Sequence, residues 1–123
     1  MEECIFCKIA AGEISTQRLA DSKYGIVFPD INPQAPIHLL AIPKIHIASL
    51  NDVGPEHGEE MAGLFHLIEA VAEEFGFADD GYRVISNVNE HAGQEVFHLH
   101  FHVLAGTDLG RIVSPSLGKG KKG

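Results

Sequence analysis

The segment Val96-Phe97-His98-Leu99-His100-Phe101-His102-Val103-Leu104 places three histidines at alternate positions. On an extended chain alternate side chains share a face. His98, His100 and His102 therefore form one row, while Phe97, Leu99, Phe101 and Val103 form an opposite, core-facing row. Neighbouring imidazoles lie roughly 6.6 Å apart along such a strand, at ~3.3 Å per residue. Three readings fit the pattern. One is the polar, solvent-facing side of an edge strand. Another is a three-histidine zinc centre that activates water, although three ligands in line suit a tetrahedral ion poorly. The third is nucleophilic catalysis, in which the central ring attacks and its neighbours control tautomer, charge and proton transfer. A neutral imidazole is a good nucleophile near neutral pH, and its phosphoryl adduct is labile enough to be hydrolysed.

Two further residues able to do chemistry lie near the start. Cys4 and Cys7 are the only cysteines of the chain and form a Cys-x-x-Cys pair. Two adjacent thiols in a cytosolic chain do not suit a structural disulfide, and no βαβ context follows to suggest a thioredoxin-like site. They read as half of a zinc site or as two small buried thiols. Among the other histidines, His57 and His66 fall off the apolar face of a helix and are expected in solvent. His91 sits in a loop and borders the region of the triad.

These groups belong to a chain of 123 residues, 45% hydrophobic and 21% charged, enough for one domain around a single core. Nine basic against seventeen acidic residues give a net charge of -8, which argues against a nucleic-acid polymer as partner. An anionic ligand would need local neutral donors, because the overall field repels it. The start, Met1-Glu2-Glu3-Cys4, lacks the basic and apolar regions of a signal peptide, and the apolar stretches are too short to span a bilayer. A cytoplasmic protein without a membrane partner is expected.

The elements that must position the histidines are legible in outline. Residues 3–11 predict a short helix ended by Gly12. Residues 16–20 and 25–29 predict two strands around a turn at 21–23. Two prolines make Asn32-Pro33-Gln34-Ala35-Pro36 a loop, and Ile37 to Ile42 a buried strand closed by Pro43. One long helix begins near Pro55, carries Met61, Leu64, Phe65, Ile68, Val71, Ala72 and Phe75 at helical spacing, and ends at Gly76. A turn at 79–81 leads to a strand over 82–88, a loop over 89–93 and a last strand over 96–104. Residues 118–123 read as a mobile tail. Strands separated by a helix predict an α+β antiparallel sheet, the helix covering one face and the histidines occupying the other.

With these residues in view, the chain resembles the histidine triad family. His98-x-His100-x-His102 with apolar intervening residues is that family's signature, and Gly93-Gln94-Glu95-Val96-Phe97 resembles its lead-in. The likeness continues through Ile5-Phe6-Cys7-Lys8-Ile9, Asp30-Ile31-Asn32-Pro33-Gln34-Ala35-Pro36, His38 and Ile42-Pro43-Lys44-Ile45-His46, and covers about residues 4–106. It is greatest to the branch of nucleoside phosphoramidate hydrolases, especially bacterial members. The resemblance implies a histidine-triad fold over residues 1–110, followed by a C-terminal tail over 111–123.

It also implies roles. His100 matches the nucleophile that forms a nucleotidyl–histidine intermediate, and His98 matches the residue whose main-chain carbonyl holds the other nitrogen of His100 as N–H. His102 matches the residue that contacts the phosphate and helps protonate the leaving group, and His38 a fourth histidine of the proton network. Asn87, Gln94 and Glu95, with the backbone N–H of Val96, match the phosphate side. Asp30 matches the acceptor of ribose hydroxyls. Ile5, Phe6, Ile9, Phe28, Ile31 and Leu40 match an apolar base pocket; without the family these six would read as core. Cys4, Cys7, His46 and His98 match a structural Cys₂His₂ zinc site, and no cofactor is implied for the chemistry. The implied substrate is a purine nucleotide, an AMP or GMP derivative, and the implied assembly a homodimer. The same nucleophile would serve a dinucleotide-polyphosphate hydrolase or nucleotidyl transferase, and the same frame a non-catalytic nucleotide-binding, zinc-stabilised module. Three positions depart from the family pattern. Glu95 stands where animal members carry a phosphate-donating serine, and an ionised Glu cannot donate. Phe97 replaces a common Tyr, and Ala105-Gly106 a Gly-Gly pair.

Overall fold

The computed structural model describes residues 4–112, so the tail expected over 118–123 lies outside the described residues. Five strands form one antiparallel sheet in the order β1-β2-β3-β5-β4. They are β1 (Ala20–Asp21), β2 (Gly25–Pro29), β3 (Ile37–Pro43), β4 (Arg83–Ile85) and β5 (Phe101–Ala105). Two α-helices accompany them, α1 (Ile5–Ala10) and α2 (Gly58–Glu74). The α+β antiparallel architecture is the expected one.

Helix α2 follows a 3-10 turn over Pro55–His57, and Gly76 closes its end in the left-handed region at φ +82°. Met61, Leu64, Ile68, Val71 and Ala72 recur at helical spacing and are buried against Val27, Leu39, Leu99, Phe101 and Val103 of the sheet. Gly63 lets this helix approach closely, because a Cβ there would run into the ring and Cβ of Tyr24. Phe65 and Phe75, expected on the same apolar stripe, are half exposed instead. Phe65 sits at the stripe's margin, its ring edge-on to Phe101 at 5.3 Å.

The opposite face of the sheet is also covered. Helix α1 lays Phe6 and Ile9 over Ile26, Phe28, Leu40 and Ile42, forming a second, smaller core. This corrects the expectation of a solvent-facing histidine row: His98 is fully buried, His100 is 7% exposed, and only His102 is half-buried. Phe6 turns its ring edge-on to both buried imidazoles, at 6.0 Å and 5.2 Å.

Several strands are shorter than the sequence predicts. The strand expected over 16–20 is reduced to β1, and that over 82–88 to β4. The last strand begins at Phe101 rather than at 96. Its ladder with β3 ends at the Ala41–Phe101 pair, two residues before Pro43, which has no N–H to extend the pairing. Residues 96–98 bend, and Leu99 and His100 lead into β5, held by single bonds. Leu99 N–H donates to the Ile47 carbonyl (2.6 Å), and Ser86 Oγ donates to the His100 carbonyl (3.0 Å). Alternation weakens accordingly: Phe97, expected in the core row, is half exposed, whereas Leu99, Phe101 and Val103 are buried.

Candidate active site

His100 immediately precedes β5. Its Nδ1 lies 2.8 Å from the His98 carbonyl. A carbonyl only accepts, so Nδ1 carries the proton and Nε2 keeps a free lone pair. His98 thus supplies its main chain to the His100 ring while its own ring turns elsewhere. His98 Nε2 donates to the Pro43 carbonyl (2.9 Å), leaving Nδ1 unprotonated toward Cys4 Sγ (3.4 Å) and Cys7 Sγ (3.5 Å).

His102 and His38 form a second pair. His38, on β3, is buried, and its Nε2 lies 2.9 Å from His102 Nδ1. The other nitrogen of His38, Nδ1, accepts the backbone N–H of Gln34 at 2.9 Å. Asp30 stands beside the pair, its Oδ2 3.4 Å from His38 Nε2 and 4.0 Å from His102 Nδ1, while its Oδ1 accepts the Asn32 N–H at 2.8 Å. Burial, followed by the neighbouring His100 and His38 rings, holds His102 below the usual histidine pKa of 6.5, and Asp30 opposes that fall.

A cleft of about 730 Å³ runs past these rings. Ile5, Phe6, Ile9, Phe28, Ile31 and Leu40 form an apolar wall, Asp30, His38, His100 and His102 a polar floor, and Asn87, Glu95 and Val96 the far rim. All of these were expected at one site, and the fold brings them to one cleft. Among the described residues neither the Asn87 side-chain amide nor the Val96 N–H makes a hydrogen bond within the chain. Both are neutral donors open to an anion, as the charge of the chain requires.

Gln94 is the exception. It was expected to present its amide to the phosphate, but it is buried with every polar atom engaged. Oε1 accepts the Asn89 N–H (2.8 Å), and Nε2 donates to the Ala48 (2.9 Å) and Val96 (3.0 Å) carbonyls. Its work is to hold the loop over 89–96, where Asn89 adopts φ +63° and ψ -167°, a conformation L-residues rarely take. His91 is exposed and lines no part of the cleft, and His66 is in solvent as expected. His57 is half-buried, accepting the Gly54 N–H at 2.9 Å. Ile14, Ser15, Thr16, Asn32, Gln34 and Gly93 also border the cleft without having been anticipated. Loop residues carry no periodicity, so only the chain's path reveals them. A second cavity, of about 710 Å³, lies around Arg83, whose guanidinium is engaged by the carbonyls of Leu109, Gly110 and Arg111.

Among the described residues two side-chain clusters have donors spaced for a metal ion, Cys4–Cys7–His46–His98 and Asp30–His38–His102. Donor chemistry separates them. In the first, Cys7 Sγ lies 3.2 Å from His46 Nδ1, and the Sγ–Nδ1 distances to His98 are 3.4 and 3.5 Å. An S–N edge of a zinc tetrahedron is about 3.5 Å for Zn–S ≈ 2.3 Å and Zn–N ≈ 2.0–2.1 Å. The free Nδ1 of His98 already faces the centre. Burial, then the neighbouring Cys4, pushes the Cys7 thiol up to about 11, a cost that coordination to a cation would remove. In the second cluster, an ion on His38 Nε2 would require the proton on Nδ1, opposing the Gln34 N–H donor to donor. The first cluster fits a metal; the second fits a hydrogen-bonded relay.

This fold and site define a class. A model of the family described as "Scavenger mRNA decapping enzyme C-term binding" matches residues 3–112. The purine nucleoside phosphoramidase of Escherichia coli (strain K12) is 43% identical over 113 residues, 92% of this chain and 95% of that one. Protein HitA of Neisseria gonorrhoeae is 43% identical over 104 residues, 85% of this chain and 96% of its own. A HIT family hydrolase from Clostridium thermocellum superposes with a TM-score of 0.88 at 40% identity, covering 92% of this chain and 99% of that one. A histidine triad protein from Clostridium difficile gives 0.87 at 41% identity, covering 92% and 98%. The chain belongs to the histidine triad family.

Proposed function

We propose that this protein hydrolyses the P–N bond of purine nucleoside 5′-phosphoramidates, such as adenosine 5′-phosphoramidate, to the nucleoside monophosphate and an amine. The observation that carries the reading is the 2.8 Å bond from the buried His100 Nδ1 to the His98 carbonyl, which places the proton of the neutral tautomer on Nδ1 and leaves Nε2 for attack. His100 Nε2 forms a bond to phosphorus as the P–N bond breaks, and the amine departs with a proton taken from solvent water, whose hydroxide balances the positive charge left on the nucleotidyl–histidine. Water then cleaves the nucleotidyl–histidine bond, releasing the monophosphate and restoring neutral His100. Asn87, Glu95 and the Val96 N–H border the phosphate, Asp30 accepts the ribose hydroxyls, and the apolar wall of Ile5, Phe6, Ile9, Phe28, Ile31 and Leu40 takes the base. The E. coli relative's name supports this substrate class. Turnover of adenosine 5′-phosphoramidate by the purified protein tests it; failure to release AMP above the rate of His100→Ala would remove the reading.

Cys4, Cys7, His46 and His98 are read as holding one structural zinc, a saturated tetrahedral set that leaves no open position for chemistry. We read residues 1–110 as the catalytic domain and the protein as a cytoplasmic homodimer. Among the described residues no helix is long and apolar enough to cross a membrane. The dimer reading is supported by β4, a sheet-edge strand whose Val84 is 42% exposed, and by the exposed Phe65 on α2.

A further inference from the structure

We infer that the backbone N–H of Gln34 sets the tautomers of both His38 and His102, so that His102 presents a neutral Nε2–H to the cleft. An amide N–H can only donate, so His38 Nδ1, 2.9 Å away, must be an acceptor. A neutral His38 then carries its proton on Nε2. That proton points at His102 Nδ1, 2.9 Å away, which must accept in turn. One proton remains for His102, and it sits on Nε2. Reversing either bond puts two donors face to face at Gln34. Turning the His38 ring over would aim carbon at both partners and lose both bonds. Asp30 Oδ2, 3.4 Å from His38 Nε2, favours the same proton position.

The device is built into the loop between β2 and β3. Asn32 N–H bonds Asp30 Oδ1 (2.8 Å), the Gln34 side chain bonds the Asn32 carbonyl (3.1 Å), and Asp30 N–H bonds the His38 carbonyl (2.9 Å). The loop thereby folds back and aims one amide at one imidazole. The result is a complementary pair in one cleft, a lone pair on His100 Nε2 and an N–H on His102 Nε2, with ring centroids 5.2 Å apart. The opposite tautomer of His102 would turn a lone pair toward the phosphoryl oxygens. Resemblance assigns His102 to proton delivery as well as phosphate contact. The relay favours the contact: surrendering Nε2–H would leave an imidazolate 4.0 Å from the Asp30 carboxylate, so the proton is retained as a hydrogen-bond donor. Gln34 is a positioning residue, acting through its main chain.

The proton positions rest on the hydrogen bonds alone; their use in catalysis rests on the hydrolase reading. Long-range ¹H–¹⁵N NMR of the full chain with ¹⁵N-labelled histidine, metal-replete and at pH 7.5, reads them directly. His38 and His102 should each show a protonated Nε2 and a bare Nδ1, and His100 the reverse. A protonated Nδ1 on His102, or averaged tautomers, would overturn the inference whether or not the protein is a phosphoramidase. Gln34→Ala keeps the N–H and should keep the tautomers. Gln34→Pro removes the N–H and should bring the ¹⁵N shifts of His38 and His102 to intermediate values. It should also lower kcat about three- to tenfold, the worth of one neutral hydrogen bond. Scrambled tautomers in Gln34→Ala would assign the effect to the side chain and overturn the inference. If Gln34→Pro does not fold, the wild-type and Gln34→Ala spectra decide the matter.

Discussion

His100, the proposed nucleophile, and the His98 carbonyl that bonds its Nδ1 are two residues apart in sequence, and that spacing lets one short segment supply both. His100→Ala should abolish phosphoramidate turnover in a protein that still binds AMP, and a steady-state assay retaining more than a few per cent of wild-type activity would refute the role. His102→Ala should lower kcat/KM by similar factors for good and poor leaving groups, because the retained N–H serves the phosphoryl oxygen. A loss confined to poor leaving groups would instead identify it as their acid. Asp30→Asn should weaken ribonucleotides more than 2′-deoxyribonucleotides, by about ten- to a hundredfold for a charged hydrogen bond of ~1.5–3 kcal/mol. Competition binding with AMP and dAMP checks this, and equal weakening would remove Asp30 from the ribose. At this scale the sequence was legible in residue type but not in how donors are used. Gln94 is an amide in a loop that borders the cleft, and nothing local reveals that the Asn89 N–H and the Ala48 and Val96 carbonyls engage all of it.

Helix α1 shows best what an element contributes here. Six residues long, it is too short to be stable alone, and tertiary ties hold it. Arg18 bonds the Ile9 carbonyl and Asp21, each at 2.6 Å, and Lys44 bonds Asp21 from the other side at 2.6 Å. At its other end Cys4 caps the helix, accepting the Cys7 N–H at 3.3 Å; both thiols meet His98, and Cys7 also meets His46. A Cys4→Ser/Cys7→Ser protein should copurify without zinc and melt at lower temperature, since metal binding adds to folded-state stability. Activity at low temperature should mostly survive, because no proposed step uses the ion; elemental analysis with calorimetry checks the first part. Helix α2 offers a test of the sheet contact. Gly63→Ala would gain about 1 kcal/mol of helix propensity on a free surface, but here the added methyl meets Tyr24. A net loss of about 1–3 kcal/mol in urea denaturation is expected from such overpacking. The elements themselves were largely legible, since helix α2 and strands β2 and β3 announce themselves by periodicity and by their glycines and prolines. The bounds of β1, β4 and β5 were not. A ladder ends where its partner strand runs out of donors, at Pro43 for β5, and that is set some 60 residues away, at ~100 for one end and ~40 for the other.

For the molecule as a whole, two cores on opposite faces of one sheet explain why the rings of His98 and His100 are buried and that of His102 is half-buried. His102 faces His100 and its neighbour His38 as well as Asp30, and its folded pKa lies below 6.5. In the window from 6.5 down to that lowered value the unfolded chain binds more protons than the folded one. His102 therefore contributes stability that is present above 6.5 and lost as pH falls through the window. Urea midpoints should fall on acidification from pH 7 toward 5 and fall less in His102→Asn; no difference between the two would contradict the shift. The net charge of -8 acts at the same scale, repelling free phosphate and leaving recognition to local neutral donors. Rapid-quench mass spectrometry during turnover of adenosine 5′-phosphoramidate tests the proposed nucleophilic role of His100. A transient, acid-labile adenylyl mass is expected on the peptide carrying His100, formed and lost at rates compatible with kcat and absent in His100→Ala. An adduct on another residue, or full turnover by an enzyme that never carries the nucleotidyl group, would contradict it.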